Sequence, residues 1–256
     1  MTPSPGMAEP ASRQLELREL LGAIFAPFAA ENGVALGAGM LEALAAYGAF
    51  LLDENTRMNL TAARDAAELV RRHLCDAVPF ASGVAPRAAA RLADVGSGAG
   101  LPGIPLAVLQ PDVEVTLVES VGKKAAFLSR VQEHLKLQNV RVVCVRAEEL
   151  GRHASFRGRY DVVTLRACAE LRVALEFALP LVRQGGLLLA PKGPAAGGEI
   201  DAARTALRLL GGTLAEVTEY RLPQAAVAFH MIHVEKSGPT PALYPRPAAQ
   251  ISRRPL

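Results

Sequence analysis

The first part of the chain has the hydrophobic spacing of helices. In LELRELLGAIFAPFA, MLEALAAYGAFLLDENTRMNL and AAELVRRHLCDAVPF, apolar residues recur every three or four positions, which places them on one helix face. Glycine and proline separate these segments, as they do where helices end. We therefore predict a helical N-terminal region over residues 14–85, preceded by a disordered extension at 1–13.

The pattern changes at residue 91, where short apolar runs replace the helical spacing. RLADV, EVTLVE, RVVCVR, YDVVTLR and GGLLLAP follow one another with helical patterns between most of them, which is typical of parallel strands buried on both faces. TLAEVTEYR and VAFHMIHVEK lie close together and predict a final antiparallel hairpin. The prediction is an α/β fold with a doubly wound seven-stranded sheet over residues 86–236. A basic, proline-rich loop or arm follows at 237–256.

Composition is that of an ordinary globular protein: 256 residues, 50% hydrophobic and 21% charged. Charged residues interrupt every apolar run before it reaches the ~18–20 residues of a membrane span, and the N-terminus lacks a secretory pattern. The three cysteines have no metal-ligand spacing, so we expect no metal and a cytoplasmic location. A net charge of +3 says little by itself about nucleic-acid binding.

The first predicted strand runs into a glycine-rich segment, ADVGSGAGLPGIPL. Its four glycines suit a backbone that a ligand approaches closely. A loop for a nucleoside triphosphate is excluded because no lysine ends the segment. Two patterns remain: Gly98, Gly100 and Gly103 fit the dinucleotide pattern G-x-G-x-x-G, whereas Asp94 and Gly96 begin the methyltransferase pattern D-x-G-x-G-x-G.

Acidic residues after the next two strands favour the methyltransferase pattern. Glu119 ends the second predicted strand, where a carboxylate can accept the hydroxyls of an adenosine ribose in NAD or S-adenosylmethionine. The third strand is followed at once by Ala147, Glu148 and Glu149, and an acid there suits the adenine amino group in a methyltransferase. We therefore predict S-adenosylmethionine as the cofactor, with Asp94, Gly96, Gly98 and Glu119 among the residues that bind it, and an NAD-dependent oxidoreductase as the alternative.

Seven motifs resemble one family. MNLTAARD, VRRHLCDA, DVGSGAGLPGIPL, LVESVGKKAAFL, RAEEL, TLRACA and LLLAPKG are similar to motifs of the bacterial 16S ribosomal RNA guanine-N7 methyltransferases, also called glucose-inhibited division protein B. The resemblance covers about residues 14–236 and the YPRP…SRRPL tail. Ala99 stands where some members have proline, and YPRPAAQ lacks the second arginine and the glycine of many tails, a difference that bears on RNA contact.

The resemblance implies a role for several residues. It implies that Gly96 and Leu101 line the cofactor, that Ala147 and Glu148 hold the adenine, and that Arg166 faces the methionine end. It implies as substrate a guanine in the 530-loop region of 16S ribosomal RNA, free or in an assembling small subunit. A non-catalytic assembly factor that binds S-adenosylmethionine is an alternative from another class.

Methylation at guanine N7 needs no deprotonation, because this atom carries a lone pair and no proton. The chain has no Asn-Pro-Pro-Tyr motif for exocyclic amines, and none of its cysteines follows a proline. We therefore predict no catalytic acid or base, and expect proximity and alignment to supply the rate.

RNA contacts are expected from basic residues, since the chain has no recognisable RNA-binding module. We predict contacts for Arg71, Arg72 and His73, which share one helix, and for Lys192, at the carboxyl end of the fifth strand. Pairing with Asp76, four residues away, is the alternative for Arg72. We expect 16S ribosomal RNA or the assembling subunit as partner, no membrane contact, and a monomer.

Overall fold

The computed structural model describes residues 9–84, 91–166 and 170–256. Residues 1–8 of the predicted extension, the predicted boundary between residues 85 and 86, and Cys168 lie outside the described residues. The described part contains helices before residue 85 and a sheet after residue 90, in the order that the sequence predicts.

All seven predicted strands form one sheet. They are β1 (Arg91–Val95), β2 (Glu114–Glu119), β3 (Val140–Cys144), β4 (Tyr160–Leu165), β5 (Val182–Lys192), β6 (Gly212–Tyr220) and β7 (Phe229–Lys236). Their order is β3-β2-β1-β4-β5-β7-β6. The first five in that order are parallel, and β7 runs antiparallel to β5 and β6. The predicted doubly wound sheet with a final antiparallel hairpin is confirmed.

The N-terminal region is a chain of helices. It comprises α1 (Glu9–Leu20), a π-helical turn (Leu21–Phe25), α2 (Ala26–Glu31), α3 (Met40–Met58), α4 (Ala66–Glu68), a second π-helical turn (Leu69–Leu74) and α5 (Ala77–Val84). Because α1 begins at Glu9, residues 9–13 are helical, and their assignment to a disordered extension was wrong. Pro10 does not prevent this, since the first turn of a helix does not need the N–H that proline lacks.

The sheet is covered by helices on both faces. After the strands come α6 (Gly103–Leu109), α7 (Gly122–Leu135), α8 (Ala147–Arg152), α9 (Leu171–Ala178), α10 (Ala196–Ala202) and α11 (Arg204–Leu210). Neighbouring strand residues point to opposite faces. Thus Leu92 and Leu189 pack with the N-terminal helices, α6 and α7, whereas Ala93 and Leu188 pack with α9 and α11. Burial on both faces explains the continuous apolar runs.

The C-terminal segment, residues 237–256, is held against the second face. It was predicted to be a loop or arm, but it contains a short helix, α12 (Ala248–Arg253). Arg157 donates to the carbonyls of Tyr244 (2.7 Å) and Thr240 (2.8 Å), which ties the proline-rich chain to the segment after α8. Within the described residues, the helices are too short or too polar to cross a membrane.

Candidate functional site

The carboxyl edge of the sheet contains a crevice where the chain changes direction. β1 lies between β2 and β4, so the segments after β1 and β2 diverge from those after β4 and β5. Open α/β sheets bind ligands at such a switch point. Every predicted cofactor residue lies in the last two residues of one of the strands β1 to β4 or in the segment after it, so the topology brings these residues to one edge.

The loop after β1 leaves free space in front of Gly96. The N–H groups of Gly96 and Ser97 donate to the carbonyl of Val118 on β2 (2.9 and 3.1 Å), which fixes the loop to the neighbouring strand. Gly96 has a φ of +73°, and a Cβ placed on it would meet no atom within 4 Å. Gly98 also has a positive φ, of +58°. The loop therefore has the backbone that glycine allows and room beside it for a ligand.

Two residues predicted to contact the cofactor, Asp94 and Leu101, are buried at this loop. Asp94 is 1% exposed, and its oxygens accept hydrogen bonds from Thr164 Oγ1 (3.0 Å) and Gly103 N (3.2 Å). Burial raises the pKa of Asp94 to about 6, against the opposing effect of these hydrogen bonds. The side chain of Leu101 belongs to the hydrophobic core. Both side chains are buried in the folded chain, and their contact with the cofactor stays a prediction.

Glu119 lies beside the loop at the end of β2. Its Oε2 accepts from Gly98 N (2.9 Å) and its Oε1 from Val121 N (2.8 Å). A carboxylate has about four acceptor positions, so two backbone bonds leave capacity for a ligand. Glu119 thus positions the loop and remains able to accept ligand hydroxyls.

Ala147 and Glu148 begin α8 directly after β3. The N–H of Val145 donates to the carbonyl of Glu119 (3.2 Å), which places the two strand ends side by side. Glu148 is half-buried and has no hydrogen-bond or ion-pair partner among the described residues. Its carboxylate is therefore available at the same edge as Glu119.

Arg166, directly after β4, joins the crevice to the N-terminal helices. Its Nη1 donates to Asp76 (3.0 Å) and its Nη2 to His73 Nδ1 (3.1 Å). Asp76 also accepts from the hydroxyl of Tyr220 at the end of β6 (2.8 Å). Arg166 and His73, predicted for different ligands, are thus direct neighbours in one polar network.

His73 is neutral at physiological pH. Desolvation and the positive charges of Arg166 and Arg72 lower its pKa to about 4. Because arginine only donates, Nδ1 of His73 accepts from Arg166, and Nε2 carries the proton toward Thr61 Oγ1 (3.2 Å). The histidine therefore links Thr61 to Arg166 without adding a charge.

The other predicted RNA contacts differ in their surroundings. Arg72 pairs with Glu68 (3.1 Å), so the alternative of pairing with Asp76 was wrong; the carboxylate of Asp76 pairs with Arg166. Lys192 lies at the carboxyl end of β5 as predicted, but forms an ion pair with Glu199 (2.8 Å).

Arg71 occupies the same π-helical turn as Arg72 and His73. Its Nε is buried without a hydrogen-bond partner among the described residues. The helix thus directs its three polar residues to three different surroundings.

Sequence reasoning missed Tyr47 as a residue of the site. This fully buried side chain on α3 donates from its hydroxyl to the carbonyl of Ala99 (2.8 Å) in the glycine loop. Its only sequence signal is a tyrosine on an apolar helix face, which does not reveal a partner 52 residues away. Among the described residues, no group of histidine, cysteine and acidic side chains could hold a metal ion.

Comparison with known proteins identifies the family of this chain. A family model described as "GidB: rRNA small subunit methyltransferase G" matches residues 40–227. A ribosomal RNA small subunit methyltransferase G from Roseiflexus castenholzii is 45% identical over 226 residues, which are 88% of this chain and 95% of the relative. Its namesake from Chloroflexus aggregans is 47% identical over 202 residues, 79% of this chain and 84% of the relative. The resemblance seen in the motifs is confirmed, and the chain belongs to the rRNA small subunit methyltransferase G family.

Proposed function

We propose that this protein transfers the methyl group of S-adenosylmethionine to N7 of a guanine in 16S ribosomal RNA. The observation that carries the proposal is the crevice: an open glycine loop, the Glu119 carboxylate and the unpaired Glu148 carboxylate lie at three adjacent strand ends in a member of this family.

The residues present fit the proposed cofactor along its length. Gly96 leaves space for the amino-acid end, Glu119 retains acceptors for the ribose hydroxyls, and Glu148 accepts from the adenine amino group. Arg166 uses two nitrogens on Asp76 and His73, and its remaining N–H groups bind the methionine carboxylate. When bound, the cofactor supplies an electrophilic methyl group on a positively charged sulfur.

The residues around the crevice contribute alignment rather than proton transfer. Guanine N7 presents a lone pair and no proton, so no side chain has to act as a base. Positioning the two reactants can contribute up to about 7–11 kcal/mol to lowering a barrier. The low pKa of His73, about 4, keeps this side chain neutral beside Arg166, which avoids a further cation near a cationic sulfur.

The substrate and setting follow from the family resemblance. We place the target in the 530-loop region of 16S ribosomal RNA, free or in an assembling small subunit. The proposal includes a cytoplasmic enzyme that works as a monomer. Unpaired guanines in RNA loops expose N7 and can be moved into a pocket.

Mass mapping of 16S ribosomal RNA tests the reaction. RNA from cells lacking the protein, incubated with the protein and S-adenosylmethionine, should gain one methyl group at N7 of a guanine. Cofactor binding without this methyl group would instead indicate a non-catalytic assembly factor. In calorimetry, binding of NAD without binding of S-adenosylmethionine would contradict the proposed cofactor.

Substitutions in the crevice test the cofactor position. Gly96→Val should abolish cofactor binding, because its side chain fills the open space. Gly33→Val is the matched control, since Gly33 has nearly the same φ (+72°) and is equally open but lies outside the crevice. Glu148→Ala should weaken binding about 5- to 150-fold, the equivalent of a hydrogen bond of roughly 1–3 kcal/mol. A folded Gly96→Val protein with the parent's affinity would contradict the site.

A further inference from the structure

A second pocket lies between the π-helical turn that carries His73 and the loop, residues 221–228, that joins β6 to β7. Its volume is about 450 Å³, within the roughly 300–1,000 Å³ of small-ligand pockets. Its helical wall includes Glu68, Arg71 and Arg72, and its loop wall includes Leu222, Val227 and Phe229.

This pocket adjoins the crevice through both of its walls. On one side, Arg72 immediately precedes His73, which binds Arg166 at 3.1 Å. On the other side, Leu222 follows two residues after Tyr220, whose hydroxyl binds Asp76, the ion-pair partner of Arg166. β7 begins beside Lys192 at the end of β5, so the loop lies at the carboxyl edge of the sheet.

The two walls offer complementary chemistry. The loop wall is apolar and includes Val227, which is 47% exposed, and the ring of Phe229. The helical wall carries Arg71, whose buried Nε has no partner among the described residues. An unpaired buried donor is uncommon in native proteins, so this guanidinium is not committed to a protein acceptor. Aromatic rings and arginine planes stack RNA bases, and guanidinium groups bind phosphate.

We propose that this pocket binds the RNA nucleotide next to the methylated guanine. The inference rests on the proposed function, in which the target guanine itself must reach the crevice beside Arg166. A nucleotide adjoining it in the strand then reaches the neighbouring pocket, with its base against the apolar loop and its phosphate near Arg71. Pairing between Arg72 and Glu68 leaves Arg71 as the main phosphate contact.

RNA affinity, measured without cofactor, tests the pocket. The probe is a 16S ribosomal RNA fragment that contains the 530 loop. Arg71→Ala and Val227→Asp should each raise its Kd about 10-fold, equivalent to about 1.4 kcal/mol, while calorimetry shows unchanged cofactor affinity. Arg204→Ala and Leu214→Asp are the matched controls, because these exposed side chains lie on α11 and near the start of β6. Both controls should stay within about 2-fold of the parent.

Crosslinking gives an independent measurement. A fragment with 4-thiouridine beside the target guanine should crosslink to residues 221–229 on irradiation. Unchanged RNA affinity in both folded pocket variants, or crosslinks confined to other segments, would overturn the inference. Absence of N7-methylguanine with the parent protein would overturn the proposed reaction instead, because neither RNA measurement depends on methyl transfer.

Discussion

Arg166 and Arg246 each bind a buried carboxylate, but their surroundings differ. Arg246, in the C-terminal segment, donates to Glu176 from its backbone N, Nε and Nη2 (2.9, 2.8 and 2.6 Å), and Glu176 is 0% exposed. Arg166, at the crevice, reaches Asp76 through one nitrogen (3.0 Å) and gives another to neutral His73 (3.1 Å). Within the part of the chain that the structure describes, Arg246 thus contacts its carboxylate through three nitrogens, whereas Arg166 contacts Asp76 through one.

The difference fits a structural role for Arg246 and the proposed cofactor-binding role for Arg166. Besides its bonds to Glu176, Arg246 donates from Nη2 to the carbonyl of Arg254 (3.0 Å). This fastens residues 237–256 to α9. Arg166 is held by Asp76 and His73, and among the described residues its Nε has no acceptor. A buried ion pair is thus not by itself a sign of function.

The largest expected effect tests whether residues 237–256 are packed rigidly against the rest of the protein. Gly211 has a φ of +74°, and a Cβ on it would lie 2.3 Å from the carbonyl oxygen of Gly238. Gly211→Ala should lower the free energy of unfolding by about 3 kcal/mol, since backbone strain of roughly 1–3 kcal/mol adds to overpacking of similar size. Urea denaturation measures the change. Gly33→Ala, at a similar φ and with open space around the added Cβ, should lower the free energy of unfolding only by the backbone strain. Equal decreases in the two variants would show that the C-terminal segment moves to accommodate the added methyl group.

The same substitution at both arginines compares the two regions directly. Lysine keeps the charge but loses the planar fork. Arg166→Lys should weaken cofactor binding about 10- to 150-fold, the equivalent of a charged hydrogen bond of roughly 1.5–3 kcal/mol. Arg246→Lys should lower stability by about 1–3 kcal/mol and leave cofactor affinity unchanged. Calorimetry measures the cofactor affinity of both variants, and urea denaturation measures their stability. An equal loss of cofactor affinity in the two variants would contradict the different roles of the two arginines.

A smaller effect is expected where α3 supports the glycine loop. Tyr47→Phe leaves the carbonyl of Ala99 without its buried donor, which should cost about 1–2 kcal/mol of stability. Tyr244→Phe in the C-terminal segment is the control, because its hydroxyl has no hydrogen bond among the described residues. Thermal denaturation should show a lower Tm for the first variant only. A similar Tm for both would mean that the loop does not depend on α3.

The smallest effect is a pH dependence at the crevice. Burial and nearby cations lower the pKa of His73 to about 4 from an ordinary 6.5. A histidine with a lowered folded pKa contributes stability above pH 6.5 that is lost as pH falls toward 4. Asp94, whose pKa is raised to about 6, acts in the opposite direction over this range. The stability difference between the parent and His73→Gln isolates the histidine.

That difference should shrink as the pH falls from 6.5 to 4. Urea denaturation at several pH values measures it. A difference that stays constant would show that His73 is as easily protonated in the folded protein as in the unfolded chain.

The sequence by itself determined the sheet, the family and the place of the crevice. Strand burial, helix periodicity and the glycine pattern are local, so they can be seen within a few residues. The ends of β1, β2 and β3 therefore indicated Gly96, Glu119 and Glu148 before any contact was known. The same local rules failed at residues 9–13 and in the C-terminal segment, where the chain forms helices that the spacing of apolar residues does not predict.

Only the tertiary structure decided which donor meets which acceptor. Asp94 turns beneath the loop because Thr164 and Gly103 supply its hydrogen bonds there. Asp76 was four residues from one candidate partner, yet it pairs with Arg166, which is 90 residues away. Such choices depend on which segments the folded sheet brings together and on the burial that makes an unpaired charge costly, and neither is encoded in the spacing of neighbouring residues.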